Sequence, residues 1–432
     1  MFRRTMNRRM FLRGSAAAAC GLTLAPRLGA FAQGTPEANT SLSGTVKFWA
    51  TYNTVSPEYE VLTTKVIPAF NALYPNVKIN AQAIPDSDMR AKLLAAVAGG
   101  EAPDIARMDI VQVPEFAELG GLAAVDGLIP DFATYSQQFY PGTLATNSFQ
   151  GHYYGLPLDT NTRLLFYNPA LLEEAGITAP PATFDEFQAA AEKVKGLGKD
   201  GVTGFSEGGT GAWNVLPWIW SNGGAITDDK YTVATGHLNS KATVGAVNLL
   251  KQWLDAGLIS PTIRDAGVAT SEELAKGNVA MIVDGPWMPA IFAAQYPDFK
   301  FDLSPFPKGP GGSVSVVGGE DIVLFDSSKS KDAALAFMQF ITSQPAQLDF
   351  APTGQMSVLK ELGSSSDVPA YFPVFQTQLQ TAQPRTPSPA WPKIDEAIGN
   401  AVTQVITGEA EAQAALDDAA GAVDELLAKY KQ

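Results

Sequence analysis

Residues 151–194 read GHYYGLPLDTNTRLLFYNPALLEEAGITAPPATFDEFQAAAEKV, and the order of events inside this stretch decides the fold. Tyr153 to Leu158 is a short apolar run broken by Gly155 and Pro157. Four polar residues follow: Asp159, Thr160, Asn161 and Thr162. Leu164, Leu165, Phe166 and Tyr167 then form the continuous apolar run of a buried strand. Asn168-Pro169 closes it. Proline in the first turn of a helix costs no hydrogen bond, and Ala170 to Ala175 supplies that turn before Gly176. Pro180-Pro181 stops the chain, and Thr183 caps the next helix with Glu186 as its capping-box partner. A polar break between two buried strands lets the backbone pass from one core to another, and it puts Asp159 and Asn161 within reach of a ligand. By local pattern alone, a polar loop between strands of one sheet fits equally well.

Working outward, Thr45 to Ala50 and Val77 to Ala83 alternate as strands. Between them Leu62, Val66, Ala69, Phe70 and Leu73 recur at helical spacing. Ser87 or Asp88 starts a helix through Ala98, and Pro103-Asp104-Ile105 opens a third strand. Strand and helix in alternation predict a parallel sheet covered by helices, with ligands outside the carboxyl ends of the strands. That rule selects Tyr52 and Asn53, Asp86, and Asp109. Beyond Asn168 a second αβ region runs to about Phe301, including a strand at Val279 to Val283. Phe301 to Pro307 reads as a return crossing, Ile322 to Phe325 as a strand of the first region, and Trp391 to Ile406 and Ala410 to Tyr430 as closing helices of the second. Two or three crossings between lobes make a hinge.

The chain has 432 residues, more than one core usually supports. Residues 1–32 resemble a twin-arginine export signal (Asn7-Arg8-Arg9-Met10-Phe11-Leu12-Arg13) ending at Ala30-Phe31-Ala32, and residues 33–43 read as a flexible leader. The predicted location is outside the cytoplasm, periplasmic or at the cell surface. Cys20 is the single cysteine, so no internal disulfide forms; Ala17-Ala18-Ala19-Cys20 is a poor lipid-attachment site, and Cys20 is expected to leave with the signal. Removing the signal takes away six arginines and no acid, which moves the formal charge from −14 to −20. Such a surface repels phosphate backbones, so no nucleic-acid partner is expected.

The 151–194 stretch resembles the crossover segment of extracellular solute-binding proteins, in particular the sugar-binding group that feeds ABC importers, whose members carry a similar YGLP–polar–LLFYN–PPxT string. Further segments match in order: Phe48-Trp49, Gly99-Gly100-Glu101-Ala102-Pro103-Asp104-Ile105, Trp220-Ser221-Asn222-Gly223-Gly224, Asp284-Gly285-Pro286-Trp287, Pro307-Lys308-Gly309 and Val317-Gly318-Gly319. The resemblance covers about Val46 to Tyr430. It implies an α/β, two-lobed periplasmic-binding-protein fold of type II, with hinge-linked lobes and a ligand cleft between them. Lobe 1 is expected over 44–160 plus 306–355 and lobe 2 over 161–305 plus 356–432. The implied ligand is a saccharide, the implied partners are membrane permease subunits with a separate ATPase, and the implied state is a monomer without a cofactor. Polyols and glycerophosphodiesters are the alternative solutes.

A sugar offers an apolar face to aromatic rings and a rim of hydroxyls to acids and amides. The resemblance assigns the stacking roles to Trp287, Trp213 and Trp391, with Trp218 and Trp220 as packing. It places the loop Gly319-Glu320-Asp321 in the cleft, with Asp159 and Asn161 at the crossover. Arg163 and Arg385 are candidates to pair with cleft carboxylates, and Arg385 also to donate to hydroxyls. Asn53-Thr54 and Asp395 stand where maltose-binding members carry an Asp-Lys pair and an Arg, which argues against maltose itself. The rival class is a hydrolase using Glu320 with Asp159. His152 and His237 lack partners at metal-ligand spacing, and no G-x-S-x-G, P-loop or G-x-G-x-x-G motif is present.

Overall fold

The computed structural model describes residues 38–264 and 269–430. The export signal, Cys20 and residues 33–37 of the leader lie outside them. Eleven strands are formed: β1 (Gly44–Ala50), β2 (Val77–Ala83), β3 (Ile105–Asp109), β4 (Ser148–Phe149), β5 (His152–Tyr153), β6 (Gly155–Asn161), β7 (Leu164–Tyr167), β8 (Thr203–Ser206), β9 (Val279–Asp284), β10 (Asp302–Ser304) and β11 (Gly318–Leu324). They form two open sheets, ordered β2-β1-β3-β11-β6 and β10-β7-β9-β8, and a two-stranded antiparallel sheet of β4 and β5. In the first, β1 lies parallel to β2 and β3, and the returning β11 runs antiparallel between β3 and β6. In the second, β7 is antiparallel to β9 and β10, and β8 is parallel to β9.

Each sheet carries its own cores. Helix Glu58–Leu73, which holds one π-helical turn at Leu62–Val66, buries Leu62, Val66 and Phe70 against the first sheet, as its spacing predicts. Phe184, Phe187, Trp218, Trp253 and Phe306 form an aromatic cluster beside the second sheet. Trp220 is 5% exposed in the same core. Val358, Leu359 and Leu362 pack with the first sheet's helices. Thr183 accepts from the Glu186 N–H at 3.2 Å, whereas the Glu186 carboxylate reaches one residue further back than a capping box requires, to the N–H of Ala182 at 2.8 Å.

The polar tetrapeptide is not a loop. Strand β6 continues through Asp159, Thr160 and Asn161, and only Thr162 and Arg163 separate it from β7 in the other sheet. These polar residues tolerate burial because partners meet them. Thr162 Oγ1 donates to the Val316 carbonyl (2.8 Å), and Ser315 Oγ accepts from the Arg163 N–H (3.2 Å) and donates to the Arg163 carbonyl (2.9 Å). The Thr160 N–H donates to the Met356 carbonyl (3.1 Å), and residue 383 pairs with both Ser315 and Val317. Several strands therefore run side by side where the chain passes between sheets. The glycines and acids before Ile322 likewise belong to β11 itself: Gly318, Gly319 and Glu320 pair with Asn161, Thr160 and Asp159 on β6, and Asp321 pairs with Pro157 after a register shift.

Arg163 is 2% exposed and ties this crossing to the second sheet. Its guanidinium donates to the carbonyls of Trp213 (3.2 Å), Asn214 (2.9 Å) and Val283, and pairs with Glu207 at 2.5 Å. Glu207 also accepts from the Trp218 indole at 3.0 Å. Burial pushes the Glu207 carboxyl up, against the pull of Arg163. Removing one partner strands the other charge in the core. Arg163→Leu should therefore destabilise the protein by about 3–5 kcal/mol in urea unfolding, and adding Glu207→Gln should recover part of that loss. Equal stability of wild type and R163L would show that the pair does not anchor the crossing.

Candidate functional site

Alternation along the crossing strands creates two hollows with different chemistry. Asn161 and Gly318 line one, of about 630 Å³; their neighbours Thr160 and Val317 line the other, of about 780 Å³. The larger hollow is faced mainly by apolar groups such as Met356, Leu362, Val368 and Phe372. The smaller gathers acids, amides, arginines and three tryptophans, which is what recognition of a polar solute requires.

Ten of the thirteen candidate residues line the smaller cavity: Asn53, Asp86, Asp109, Asn161, Trp213, Trp287, Gly319, Glu320, Arg385 and Trp391. The remaining three do not. Tyr52 is 3% exposed, stacked on Phe350 with centroids 4.8 Å apart, and it supports Arg107 from below at 4.6 Å. Asp159 lies behind Arg107 rather than in the open cavity. Asp321 follows Glu320 on β11 and so faces the other way, where it accepts from Asn147 Nδ2 (2.8 Å) and Thr146 Oγ1. Arg163 meets Glu207 instead of a cleft carboxylate.

Arg107 organises the floor of the cavity. It sits two residues before Asp109 on β3, so both project from one face, and the strand-end rule that selects Asp109 extends to it. Its Nη2 lies 3.1 Å from Asp159, 2.9 Å from Gln355 Oε1 and 2.8 Å from Glu320 Oε2; Nη1 donates to Thr51 at 2.7 Å. Burial works against this charge, but Glu320 and Asp159 more than restore it. Burial also holds the Glu320 carboxyl well above the ordinary carboxylate range, against Arg107 and in the same direction as Asp159. Glu58, Gln112 and Arg90 also line the cavity and lie outside the expected set. Glu58 is 4% exposed and accepts from the Asn53 N–H at 2.8 Å.

The upper walls come from the ends of β3, β9 and β11 and from two helices. Arg385 makes a two-pronged pair with Asp109, at 2.8 and 3.2 Å. The Trp213 and Trp287 rings lie 6.4 Å apart at a 31° tilt, forming one platform rather than two opposed walls. Glycines make room for it. A β-carbon at Gly285 would lie 2.3 Å from the Trp287 ring, and one at Gly318 would lie 2.7 Å from Trp213 and 2.2 Å from Asn161 Oδ1. Arg385 and Arg163 stack against Trp213 at 5.5 and 5.8 Å. Asp395 accepts from the Ala212 N–H at 2.7 Å, at the start of the helix that carries Trp213. Among the described residues no cluster of His, Cys, Asp and Glu could hold a metal ion, and no helix is long and apolar enough to cross a membrane.

Two sheet-based lobes joined by strands that cross side by side, with a polar and aromatic cleft at the crossing, define a solute receptor of the two-lobed class. The sequence model of the bacterial extracellular solute-binding proteins matches residues 54–348, and the chain belongs to that family. A Brucella abortus binding protein is 27% identical over 376 residues, 84% of this chain and 89% of that protein. The GacH receptor of Streptomyces glaucescens, solved unliganded and with acarbose, superposes with a TM-score of 0.83 at 26% identity, covering 90% of this chain and all of that one. An ABC transporter solute-binding protein of Thermotoga lettingae bound to α-D-tagatose gives 0.81 at 26% identity, covering 89% and 100%.

Glu58 provides a test of the cleft's electrostatics. Burial raises its carboxyl above the ordinary 4.5, with Arg107 opposing. Between 4.5 and that raised value the folded state binds more protons than the unfolded chain, so stability falls as pH rises through this window and stays lowered above it. Glu58→Gln should therefore raise the urea midpoint at pH 8, and the gain should vanish below about pH 4.5. A gain that does not change with pH would mean that burial of this charge is not its source.

Proposed function

We propose that the protein is the extracellular receptor of an ABC importer, which captures a sugar or short oligosaccharide between its lobes and hands it to a membrane permease. The observation that carries this reading is the joining, around one cavity of about 630 Å³, of a tryptophan platform with a rim of carboxylates and amides. Rings cover the C–H face of a pyranose, and the rim takes its hydroxyls. Trp213, Trp287 and Trp391 are the proposed apolar contacts; Asn53, Asp86, Asp109, Asn161, Glu320 and Arg385 are the polar ones. The sugar-bound receptors of similar fold support the same choice. Export through the N-terminal signal would place the receptor outside the cytoplasm as a monomer, with the permease and ATPase on other chains.

The proposed lobes are residues 44–160 with 306–355, and 161–305 with 356–432. Closure about the crossing strands excludes water and brings both lobes onto the ligand. The ligand shifts this balance only through contacts better made in the closed form. On this division Asp109 belongs to the first proposed lobe and Arg385 to the second, so their ion pair would span the cleft. The placement of Asp159 argues against a hydrolase that pairs Glu320 with Asp159. A glycosidase needs two carboxyls flanking the scissile bond, but Asp159 is 4% exposed behind Arg107 and does not reach the cavity.

A ligand that binds only the folded protein raises its melting temperature by mass action. Thermal-shift screening of the chain from Gln33 onward against mono- and oligosaccharides should give a clear rise with one class and no new reducing ends on long incubation. Polyols and glycerophosphodiesters belong in the same screen; a rise with them alone would replace the sugar reading. For the ligand found, Trp213→Ala and Trp287→Ala should each weaken affinity by about 10- to 100-fold in titration calorimetry, or ~1.4–2.7 kcal/mol. Unchanged affinity in both variants would remove the platform from the site.

A further inference from the structure

Protein groups alone bridge the two walls of the cleft. Arg385 gives Asp109 two hydrogen bonds, Nη2 to Oδ1 at 2.8 Å and Nη1 to Oδ2 at 3.2 Å, across 276 residues of sequence. Both residues line the cavity, so widening it about the crossing strands draws them apart. At an exposed point Gln295 Nε2 donates to the Val55 carbonyl at 3.3 Å, across 240 residues. On the lobe division proposed above, which carries all that follows, both contacts join the first lobe to the second.

The ion pairs sort by lobe. Among the described residues, every pair except Asp109–Arg385 joins two residues of one proposed lobe, including the buried pairs of Arg107 and Arg163. Asp109–Arg385 is the exception, and each residue is the other's only ion-pairing partner. Each half is also braced on its own side. Asp109 ends β3, and its Oδ1 accepts from the Val111 N–H at 3.0 Å. Arg385 is 8% exposed, and its guanidinium lies 5.5 Å from the centre of the Trp213 ring, on helix Ala212–Ser221 of the second proposed lobe. Pro384 and Pro387 restrict the backbone around it. Two groups fixed in advance on separate bodies meet in one geometry only, so parting the lobes breaks the pair as a unit.

From this single crossing pair we propose that Asp109 and Arg385 form a latch that holds the lobes together without a solute, so that capture begins from a less populated open form. A two-pronged, charge-assisted contact is strong and directional. Breaking it leaves a mostly buried guanidinium without its counter-charge. The latch thus sets how often the cleft opens to admit a solute, and a solute is retained through contacts better made in the closed form.

The test is made without solute, on the chain from Gln33 onward, refolded from urea to remove any solute carried through purification. Cys20 is the single cysteine and precedes Gln33, so nitroxide labels at Thr64→Cys and Asp298→Cys, exposed positions on the two proposed lobes, have no competing site. Pulsed dipolar spectroscopy at about 50 mM salt should give mainly the shorter, closed distance. Arg385→Gln and Asp109→Asn should each lower the closed-to-open ratio at least ~5-fold, the scale of one charge-assisted contact. The exchanged pair, Asp109→Arg with Arg385→Asp, should recover part of that loss. Should the variants lose cooperative urea unfolding, the unsubstituted pair decides: solvent reaches the Asp109 side chain, 27% exposed, so the closed fraction should fall as salt rises to about 500 mM. An open form that dominates at low salt, or a ratio unmoved in the deciding measurement, overturns the latch. Either result leaves the saccharide reading to the thermal-shift screen.

Discussion

Two residues, Thr162 and Arg163, separate a strand of one sheet from a strand of the other, and the rest of the architecture depends on that continuity. A backbone that crosses between cores must have every polar group satisfied on the way, because water is excluded there. Ser315 and Val316 supply partners from the returning chain, Met356 supplies one for Thr160, and Arg163 spends its guanidinium on three carbonyls and Glu207. The crossing also sets which chemistry faces which hollow. With alternating side chains, Asn161 and Gly318 must point to one side if Thr160 and Val317 point to the other. A shift of one residue in register would exchange the polar cleft for the apolar hollow.

The floor of the cleft is the electrostatic counterpart of that crossing. A buried arginine is tolerated only with compensating acids and hydrogen bonds. Arg107 finds Asp159, Glu320, Gln355 and Thr51 on four separate segments that meet only in the folded protein. Burial raises the Glu320 carboxyl well above the ordinary carboxylate range, against the pull of the arginine. The cluster places a guanidinium bounded by carboxylates and an amide under the cavity. Glu58, Asp86 and Asp395 also line the cavity, and among the described residues none of them makes an ion pair.

Much of the site could be read before the fold was seen, and the reasons differ by residue. Asn53, Asp86 and Asp109 follow from a general rule about the carboxyl ends of parallel strands. Trp213, Trp287 and Trp391 came from family resemblance, since nothing local distinguishes a cleft tryptophan from a packing one such as Trp220. Asp321 was paired with Glu320 because both follow glycines. Reading 318–321 as a loop hid the alternation that turns the second acid away, and treating Asp159–Thr162 as a break hid the same regularity in β6. Arg107 was within reach, as a lone charge inside an apolar strand two residues from Asp109.

The sequence by itself pointed to most of the helices and strands and to their alternation, because these depend on hydrophobic period, turn chemistry and segment length, all local properties. Tertiary structure alone decided which charges are spent and which remain. Arg107 meets Gln355, and Arg385 meets Asp109, across separations of 248 and 276 residues. An ion pair depends on distances of a few ångströms, and no local pattern carries that information over such lengths of chain. The composition could therefore show that acids exceed bases, but only the fold shows which of them meet a guanidinium.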